Sequence, residues 1–142
     1  MKKTILAMSV VCLAACDTTV SRKELSAVDY GPRPLHWQNT IREHLKIRLT
    51  DPKEAIVEFR AGPQVLYQRS TPVREQQWGW AVCVWVNDKN RAGNYDGFYP
   101  MSVLIRDEKI TAVNGGPDDA NIIGARYARE HCEQLGAPFQ QR

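Results

Sequence analysis

The stretch Gln76-Gln77-Trp78-Gly79-Trp80-Ala81-Val82-Cys83-Val84-Trp85-Val86-Asn87 decides the fold of this chain. In a β-strand, successive side chains point to opposite faces of the sheet, and here both sets of side chains are largely apolar. One face would carry Trp78, Trp80, Val82, Val84 and Val86, and the other face Gly79, Ala81, Cys83 and Trp85. A strand with two apolar faces needs cover on both sides, so the stretch predicts the central strand of a buried sheet.

Further strands are predicted on either side of this stretch. Residues 55–61 alternate apolar and polar side chains and end at Gly62-Pro63, which predicts a half-buried strand. Residues 65–67 are a short apolar piece and a candidate hairpin partner for that strand. Downstream, residues 101–106 and 109–113 predict a second hairpin that turns at the two residues between them.

A helix is predicted ahead of the strands. Thr40-Ile41-Arg42-Glu43 fits a capping box, in which the threonine and glutamate side chains each satisfy an amide at a helix start. This helix would run to about residue 50 and bury an apolar stripe at four-residue spacing, which consists of Ile41, Leu45 and Leu49.

A second helix is predicted after the strands, from about residue 119 to 135. Asp118-Asp119 fits its N-cap, and Gly136 with Pro138 fits its end. Its apolar positions recur at helical spacing and are Ala125, Ala128, Cys132 and Leu135. The sequence therefore predicts a single small α+β domain with an N-terminal helix, an antiparallel sheet of about four to five strands and a C-terminal helix packed on the sheet.

The N-terminus has the layout of a secretory signal. Met1-Lys2-Lys3 precedes about a dozen uncharged, mostly apolar residues, a stretch too short to span a bilayer. Residues 1–15 are therefore predicted to be a removed signal peptide. The tetrapeptide Leu13-Ala14-Ala15-Cys16 at its end resembles the lipobox of bacterial lipoproteins, in which the cysteine receives a diacylglyceryl group before cleavage.

The lipobox resemblance implies that Cys16 is the lipidated first residue of a mature cell-envelope protein, held at a membrane with its domain facing the periplasm. Asp17 implies the inner membrane by similarity to enterobacterial lipoproteins, and the outer membrane is the alternative. Residues 17–35 are mostly polar and lack a hydrophobic period, so residues 16–35 are predicted to be the lipidated N-terminus and a flexible tether. Residues 36–142 form the predicted domain.

Charge argues against nucleic acid as a partner. Removal of Lys2 and Lys3 lowers the basic count from 19 to 17 against 16 acidic residues, which leaves a formal net charge of +1. A nearly neutral chain without a run of Lys or Arg lacks the electrostatic footprint of a nucleic-acid-binding protein.

Cysteine usage predicts one disulfide. Cys12 leaves with the signal and Cys16 is lipidated, so Cys83 and Cys132 remain as a pair in an oxidising compartment. A bridge between them would fasten the last helix to the sheet. The weaker alternatives are a metal site that uses His131 with both cysteines and a catalytic cysteine at Cys83, whose apolar neighbours disfavour a thiolate.

Two further stretches resemble segments of small exported proteins of Gram-negative bacteria. The first is Leu49-Thr50-Asp51-Pro52-Lys53-Glu54-Ala55. The second is Val82-Cys83-Val84-Trp85-Val86-Asn87-Asp88-Lys89-Asn90, followed by Tyr95-Asp96-Gly97-Phe98. That group has no known activity, so the resemblance implies no catalytic residues.

No arrangement of reactive residues predicts catalysis, a cofactor or a metal. His36, His44 and His131 lie outside any Ser/His/Asp or His-x-x-x-His pattern and are predicted to have surface or packing roles. A calcium loop is an alternative for the oxygen side chains at Asp88, Asn90, Asn94 and Asp96, but its glycine and distal glutamate are missing. We therefore expect a non-enzymatic protein.

An aromatic set is the candidate binding surface, and it consists of Trp78, Trp80, Tyr95, Phe98 and Tyr99. Flat apolar rings with a polar edge suit either a protein partner or a sugar ring. Two hypotheses follow. The first is a membrane-anchored envelope lipoprotein that binds an envelope protein not identified by the sequence, and the second is a binding module for a small molecule or a glycan such as peptidoglycan.

Overall fold

The structure is a computed structural model that describes residues 20–117 and 122–140. Within these residues the element order is α1 (Arg22–Ala27), α2 (Trp37–Lys46), β1 (Ile56–Gln68), β2 (Gln77–Asn87), β3 (Tyr99–Arg106), β4 (Lys109–Asn114) and α3 (Ile122–Gln134). The four strands form one antiparallel sheet in the order β1-β2-β3-β4. This architecture confirms the predicted small α+β domain with a C-terminal helix packed on the sheet.

β2 is an inner strand with apolar cover on both faces, as its sequence predicts. Val82 and Cys83 are neighbours in the chain, and both are fully buried although their side chains leave opposite faces of the sheet. On one face, Val82, Val84 and Val86 pack with Ile41, Leu45 and Leu49 from α2 and the following residues. On the other face, Ala81, Cys83 and Trp85 pack with Cys132 and Leu135. The molecule therefore has three layers, with α2 and α3 on opposite sides of the sheet.

A disulfide joins Cys83 of β2 to Cys132 of α3, across 49 residues of sequence. Both cysteines are fully buried in the cluster on the α3 side of the sheet. The bridge therefore fastens the last helix to the central strand, which is the geometry that the sequence predicts.

The start of α2 differs from the prediction. The helix begins at Trp37 with His36 as its N-cap residue, and no side chain caps it. Thr40 lies inside the helix, where its hydroxyl donates to the His36 carbonyl oxygen at 3.2 Å, so the predicted capping box at Thr40 is wrong. The apolar stripe of Ile41, Leu45 and Leu49 is buried as predicted, because it depends on residue spacing and not on the position of the cap.

β1 also differs, because it continues through the residues that were expected to end it. Residues 56–68 form one strand against β2, with register irregularities between Phe59 and Gln64, so the predicted hairpin between residues 55–61 and 65–67 is wrong. β1 is an edge strand, where a proline at an irregularity disturbs no inner ladder. Gly62 has φ +127°, and a Cβ there would lie 2.8 Å from the Val82 Cα, so the position requires glycine.

The segment predicted to be a flexible tether is folded in part. Ser21 and Glu24 form a capping box at the start of α1, and Glu24 pairs with Arg69 at the end of β1. Farther along, the Trp80 indole nitrogen donates to the Gly31 carbonyl oxygen at 3.0 Å, and Pro34 is buried. The stretch predicted to be a tether therefore contains a short helix, and residues 28–35 contact the domain without regular secondary structure.

The remaining elements agree with the sequence where the structure describes them. β3 and β4 form the predicted hairpin, and its turn residues Asp107 and Glu108 have φ values of 51° and 59°. α3 buries Ala128 and Cys132 against the sheet. The predicted N-cap at Asp118-Asp119 lies outside the described residues, as do the signal peptide and Cys16.

Removing the disulfide should destabilise the domain strongly. In the chain-entropy model, a disulfide that closes a loop of 49 residues raises the free energy of unfolding by about 4 kcal/mol. This is a large share of a small domain's stability. We expect a Cys83→Ala, Cys132→Ala double variant to lose about this much free energy of unfolding in urea. Reducing agent is the control, because it should destabilise the parent protein and leave the double variant unchanged. Equal stability of the two proteins would contradict the structural role.

Candidate functional site

The structure separates the predicted aromatic surface into two places. Tyr99 of β3 pairs with Val86 at the end of β2. Trp80 lies six residues earlier on β2, so it is about 20 Å from that pair along the strand. Tyr95, Phe98 and Tyr99 therefore belong to one end of the sheet, and Trp78 and Trp80 belong to the other. The five rings do not form one continuous surface.

Tyr95 lies in a loop, residues 88–98, that is organised by a buried carboxylate. Asp88 follows the last residue of β2 and is 7% exposed. Its side-chain oxygens accept backbone N–H groups of Thr50 at 2.6 Å, Asp51 at 3.1 Å and Lys89 at 2.9 Å. Through these three hydrogen bonds, Asp88 joins the loop to the chain that follows α2.

Asn90 organises the outer part of the same loop. Its side-chain oxygen accepts the N–H groups of Ala92 and Asn94, both at 3.0 Å. Its side-chain nitrogen donates to the carboxylate of Asp96 at 3.0 Å. Three of the four side chains that suggested a calcium loop, Asp88, Asn90 and Asp96, therefore bond backbone amides or one another.

Tyr95 is the exposed aromatic residue of this loop, with 43% of its surface accessible. Its hydroxyl donates to the Glu54 carbonyl oxygen at 2.6 Å, and the Lys89 ammonium lies 5.4 Å from the ring centroid. Phe98 and Tyr99 are half-buried and pack against the clusters on the α3 side and the α2 side, respectively. The loop thus presents one fixed tyrosine ring, while its two aromatic neighbours contribute to the core.

Trp78 borders a groove of about 500 Å³ at the other end of the sheet. The Arg106 guanidinium lies over the Trp78 ring, 4.9 Å from the ring centroid. Asp29 and Asp107 also line the groove. The opposite wall is the segment that ends at Gly31, which the indole of Trp80 holds by a hydrogen bond. An indole beside carboxylates is a suitable lining for a polar ring with hydroxyl groups.

A buried polar network, which the sequence did not reveal, connects the sheet to α3. It takes one side chain from each strand and one from the helix, and its members are Gln68, Gln77, Ser102, Asn114 and His131. The Asn114 amide donates to Ser102 Oγ at 3.1 Å, and Ser102 Oγ lies 2.9 Å from His131 Nδ1. His131 Nε2 faces Gln68 Oε1, which is an acceptor, so Nε2 carries the proton and Nδ1 accepts from Ser102.

This network favours a neutral histidine in a packing role. Burial lowers the pKa of His131 to about 4, against a smaller upward effect of Glu130, and Arg74 lowers it further. Ser102 and His131 are fully buried, so a substrate has no access to the pair in spite of its hydrogen bond. Elsewhere, burial and the charge of Arg48 lower the pKa of His44, and His36 is exposed at the start of α2.

The chain matches no protein-family model, no curated protein and no solved structure. In the described ranges 20–117 and 122–140, no three His, Cys, Asp or Glu side chains are grouped so that they could hold a metal ion. The helices in these ranges include none that is long and apolar enough to cross a membrane. The Tyr95 loop and the groove beside Trp78 are the candidate binding surfaces of the described residues.

His131 should make stability depend on pH. Between pH 6.5 and about 4, the histidine takes up a proton in the unfolded chain and not in the folded one, so the free energy of unfolding falls as the pH falls through this range. The full loss attributable to His131 is about 3 kcal/mol.

The measurement is urea unfolding at several pH values for the parent protein and a His131→Gln variant. The variant should lose most of the slope between pH 6.5 and 4 and retain the part that comes from His44. His36→Gln, which replaces an exposed histidine at the start of α2, is the matched control. Identical slopes for the parent and His131→Gln would contradict the buried neutral assignment.

Proposed function

We propose that this protein is a cell-envelope lipoprotein, anchored through Cys16, whose domain binds a protein partner through the Tyr95 loop. The role is non-enzymatic, and the lipid attaches the domain to the membrane on its periplasmic side. The lipobox resemblance of Leu13-Ala14-Ala15-Cys16 supports the anchor. Asp17 favours the inner membrane by similarity to enterobacterial lipoproteins, with the outer membrane as the alternative.

The Tyr95 loop lies at the end of β1 that is far from α1, and this position is the main support for the proposal. The described chain begins at Val20, and α1 is held to the C-terminal end of β1 by the pair of Glu24 and Arg69. The Tyr95 loop contacts Glu54, just before the other end of β1. β1 has 13 residues, so the two places are up to about 40 Å apart. A partner could therefore reach the loop without contact with the anchor.

The rigidity of the loop also favours protein binding. Tyrosine is one of the residue types that dominate binding energy at protein interfaces. A ring that is already held by a hydrogen bond and a neighbouring cation loses little conformational entropy when it binds. The side-chain hydrogen bonds of Asp88 and Asn90 prepare the loop in the same way.

The groove beside Trp78 supports the second candidate, which is binding of a small molecule or a glycan such as peptidoglycan. Its indole, its carboxylates and its volume of about 500 Å³ suit one or two sugar rings. Its distance from Tyr95 lets the two functions be tested separately.

The anchor is tested by substitution of the two N-terminal cysteines. We expect Cys16→Ser to abolish lipid attachment, so that metabolic labelling with a fatty acid disappears and the protein leaves the detergent phase of a phase separation. Cys12→Ser is the matched control, because Cys12 lies four residues before Cys16 and outside the tetrapeptide. Continued labelling of Cys16→Ser would refute the anchor.

The partner is tested by photocrosslinking in intact cells. A photoreactive residue at Tyr95 should capture one discrete protein, while the same residue at Val73, which is 65% exposed, should not. With the captured protein purified, Tyr95→Ala should weaken binding about 30-fold, as expected for a hot-spot residue, and Val73→Ala should leave it unchanged. Glycan adducts from a probe at Gln76, without a protein adduct at Tyr95, would favour the second candidate instead.

A further inference from the structure

We propose that two copies of this chain pair through the outer edge of β1, antiparallel about a two-fold axis at Phe59, so that Glu58 of each copy lies opposite Arg60 of the other. The occupant of this edge is therefore a second copy of the chain. The inference goes beyond the Tyr95 loop of the proposed function, and it rests on the proposed anchor only for the concentration of copies in one membrane. Three observations carry it: an open strand edge, a charge pattern that is complementary to itself, and an aromatic ring at the centre of that pattern.

The N-terminal half of β1 presents an open edge. β1 is the longest strand, with 13 residues, and among the described residues only β2 pairs with it. Leu25 of α1 borders a groove with Val65 and Tyr67, so α1 lies beside the C-terminal half of β1. In the other half, the side chains of Glu58 and Arg60 are 33% and 36% exposed. The outer edge of a strand presents backbone N–H and C=O groups to which a further strand can bind.

Glu58 and Arg60 belong to the same face of the sheet. Glu58 pairs in register with Trp85 of β2, and the Arg60 guanidinium lies over the Trp85 ring, 4.3 Å from its centroid. Within one copy the two charged side chains form an ion pair at 3.1 Å. Because both remain partly exposed, each can contact a second opposite charge in addition to the one it already has.

The order Glu58-Phe59-Arg60 is complementary to itself when two strands run antiparallel. When Phe59 lies opposite Phe59 of the second copy, Glu58 lies opposite Arg60 and Arg60 lies opposite Glu58. Residues that are directly opposite have Cβ atoms about 5 Å apart, and opposite charges in such positions stabilise the strand pair. The four charges then alternate in sign across the two strands.

The same charges disfavour the neighbouring registers. A slip that keeps each side chain on its own face moves the strands by two residues, which shifts the axis to Glu58 or to Arg60. Identical charges would then face each other, and like charges that are directly opposite destabilise a strand pair. Pro63, which has no N–H to donate, lies outside the pairing, because it would be opposite Ala55, just before β1. Charges and a proline are devices by which edge strands avoid indiscriminate pairing, and here they leave one register open.

Phe59 is placed to contact its counterpart at the axis. Its ring is half-buried and packs edge-on against Trp37, with the ring centroids 5.1 Å apart, and the Arg42 guanidinium lies 5.0 Å from the Phe59 centroid. These contacts hold the ring before two copies meet, so little side-chain freedom is lost on pairing. Aromatic pairs across antiparallel strands also stabilise the strand pair.

The proposed anchor compensates for the small size of the contact. The register irregularity that follows Phe59 restricts regular pairing to a few residues. Two copies held in the same bilayer meet at a higher effective concentration than in dilute solution, which favours a contact of this size. The two-fold axis of an antiparallel strand pair is perpendicular to the sheet, so the α1 helices of both copies lie at the same height along that axis. This arrangement is compatible with two lipids in one bilayer.

The first test is disulfide trapping between two differently tagged full-length copies in cell membranes, with copper phenanthroline as the oxidant. Glu58→Cys in one copy and Arg60→Cys in the other should give a mixed cross-linked dimer, because these positions lie opposite each other. Each variant expressed alone should give little dimer, since the same position in two copies is diagonal across the strands, at about 7 to 8 Å. Glu58→Cys with Val73→Cys is the matched control, because Val73 is 65% exposed and lies between β1 and β2.

Charge reversal gives a second measurement that needs no introduced cysteine. Glu58→Arg alone, or Arg60→Glu alone, should raise the dissociation constant about tenfold, because each places like charges opposite each other. Glu58→Arg combined with Arg60→Glu should restore most of the affinity, although it removes the contact of Arg60 with Trp85. The dissociation constant is measured in lipid vesicles by energy transfer between copies that carry fluorophores on a C-terminal tag. Equal values for the parent and all three variants, or no recovery in the combined variant, would overturn the pairing.

Fatty-acid labelling of the cysteine variants reports the anchor separately. Labelled protein without the mixed cross-link would overturn the pairing and leave the anchor intact. Equal yields of cross-link in the mixed pair, the single variants and the Val73 control would reflect random collision and would also overturn the pairing. Protein without fatty acid would overturn the anchor. A mixed cross-link in that protein would still support the pairing, and its absence would overturn both.

Discussion

The burial of β2 on both faces is the constraint on which the rest of the domain depends. Its side chains from Ala81 to Val86 lie within the two apolar clusters, so the strand is stable only when each face has a cover. α2 supplies one cover and α3 the other, while β1 and β3 satisfy its backbone hydrogen bonds. The disulfide at Cys83 then joins the central strand to one of its covers, which limits the ways in which the layers can separate.

The two sides of the sheet are stabilised differently. The α2 side is a cluster of buried aliphatic residues and Met101, with Trp37, Phe59 and Tyr99 packed against it. The α3 side contains the network around His131, in which a side chain from each strand meets the helix. A shift of α3 would leave buried polar groups without partners, at about 1–3 kcal/mol each. The network and the disulfide therefore specify the position of α3, and that position determines which side chains its outer face presents.

The features that were predictable from sequence are those that repeat. The alternation in β2, the four-residue stripe of Ile41 and Leu45, and the hairpin of β3 and β4 each show a period that several residues share. The pairing of Cys83 with Cys132 followed from elimination, because the other two cysteines had other assignments.

The features that were missed depend on single residues and on distant contacts. Gly62-Pro63 is a turn signal by local chemistry, yet both residues lie within β1, where Gly62 approaches Val82 closely. α1 is stabilised by a pair across 45 residues, which local patterns cannot show. Ser102 and Asn114 lie on one face of the sheet, and their alternation was readable, but their meeting with His131 required the placement of α3. The aromatic set was read as one surface because Trp78 and Tyr95 flank the same strand, whereas opposite ends of a strand are far apart.

The Tyr95 loop and the anchored end of the chain belong to opposite ends of β1. The Tyr95 hydroxyl donates to the Glu54 carbonyl oxygen just before β1, whereas the pair of Glu24 and Arg69 holds α1 at the other end of that strand. Ser21 follows Cys16 by five residues, so a lipid on Cys16 would keep the start of α1 close to the bilayer. A short connection leaves the domain fewer positions relative to the membrane than a long flexible tether would. Less freedom is then lost when a partner in the same membrane binds the loop, which favours recognition of such a partner.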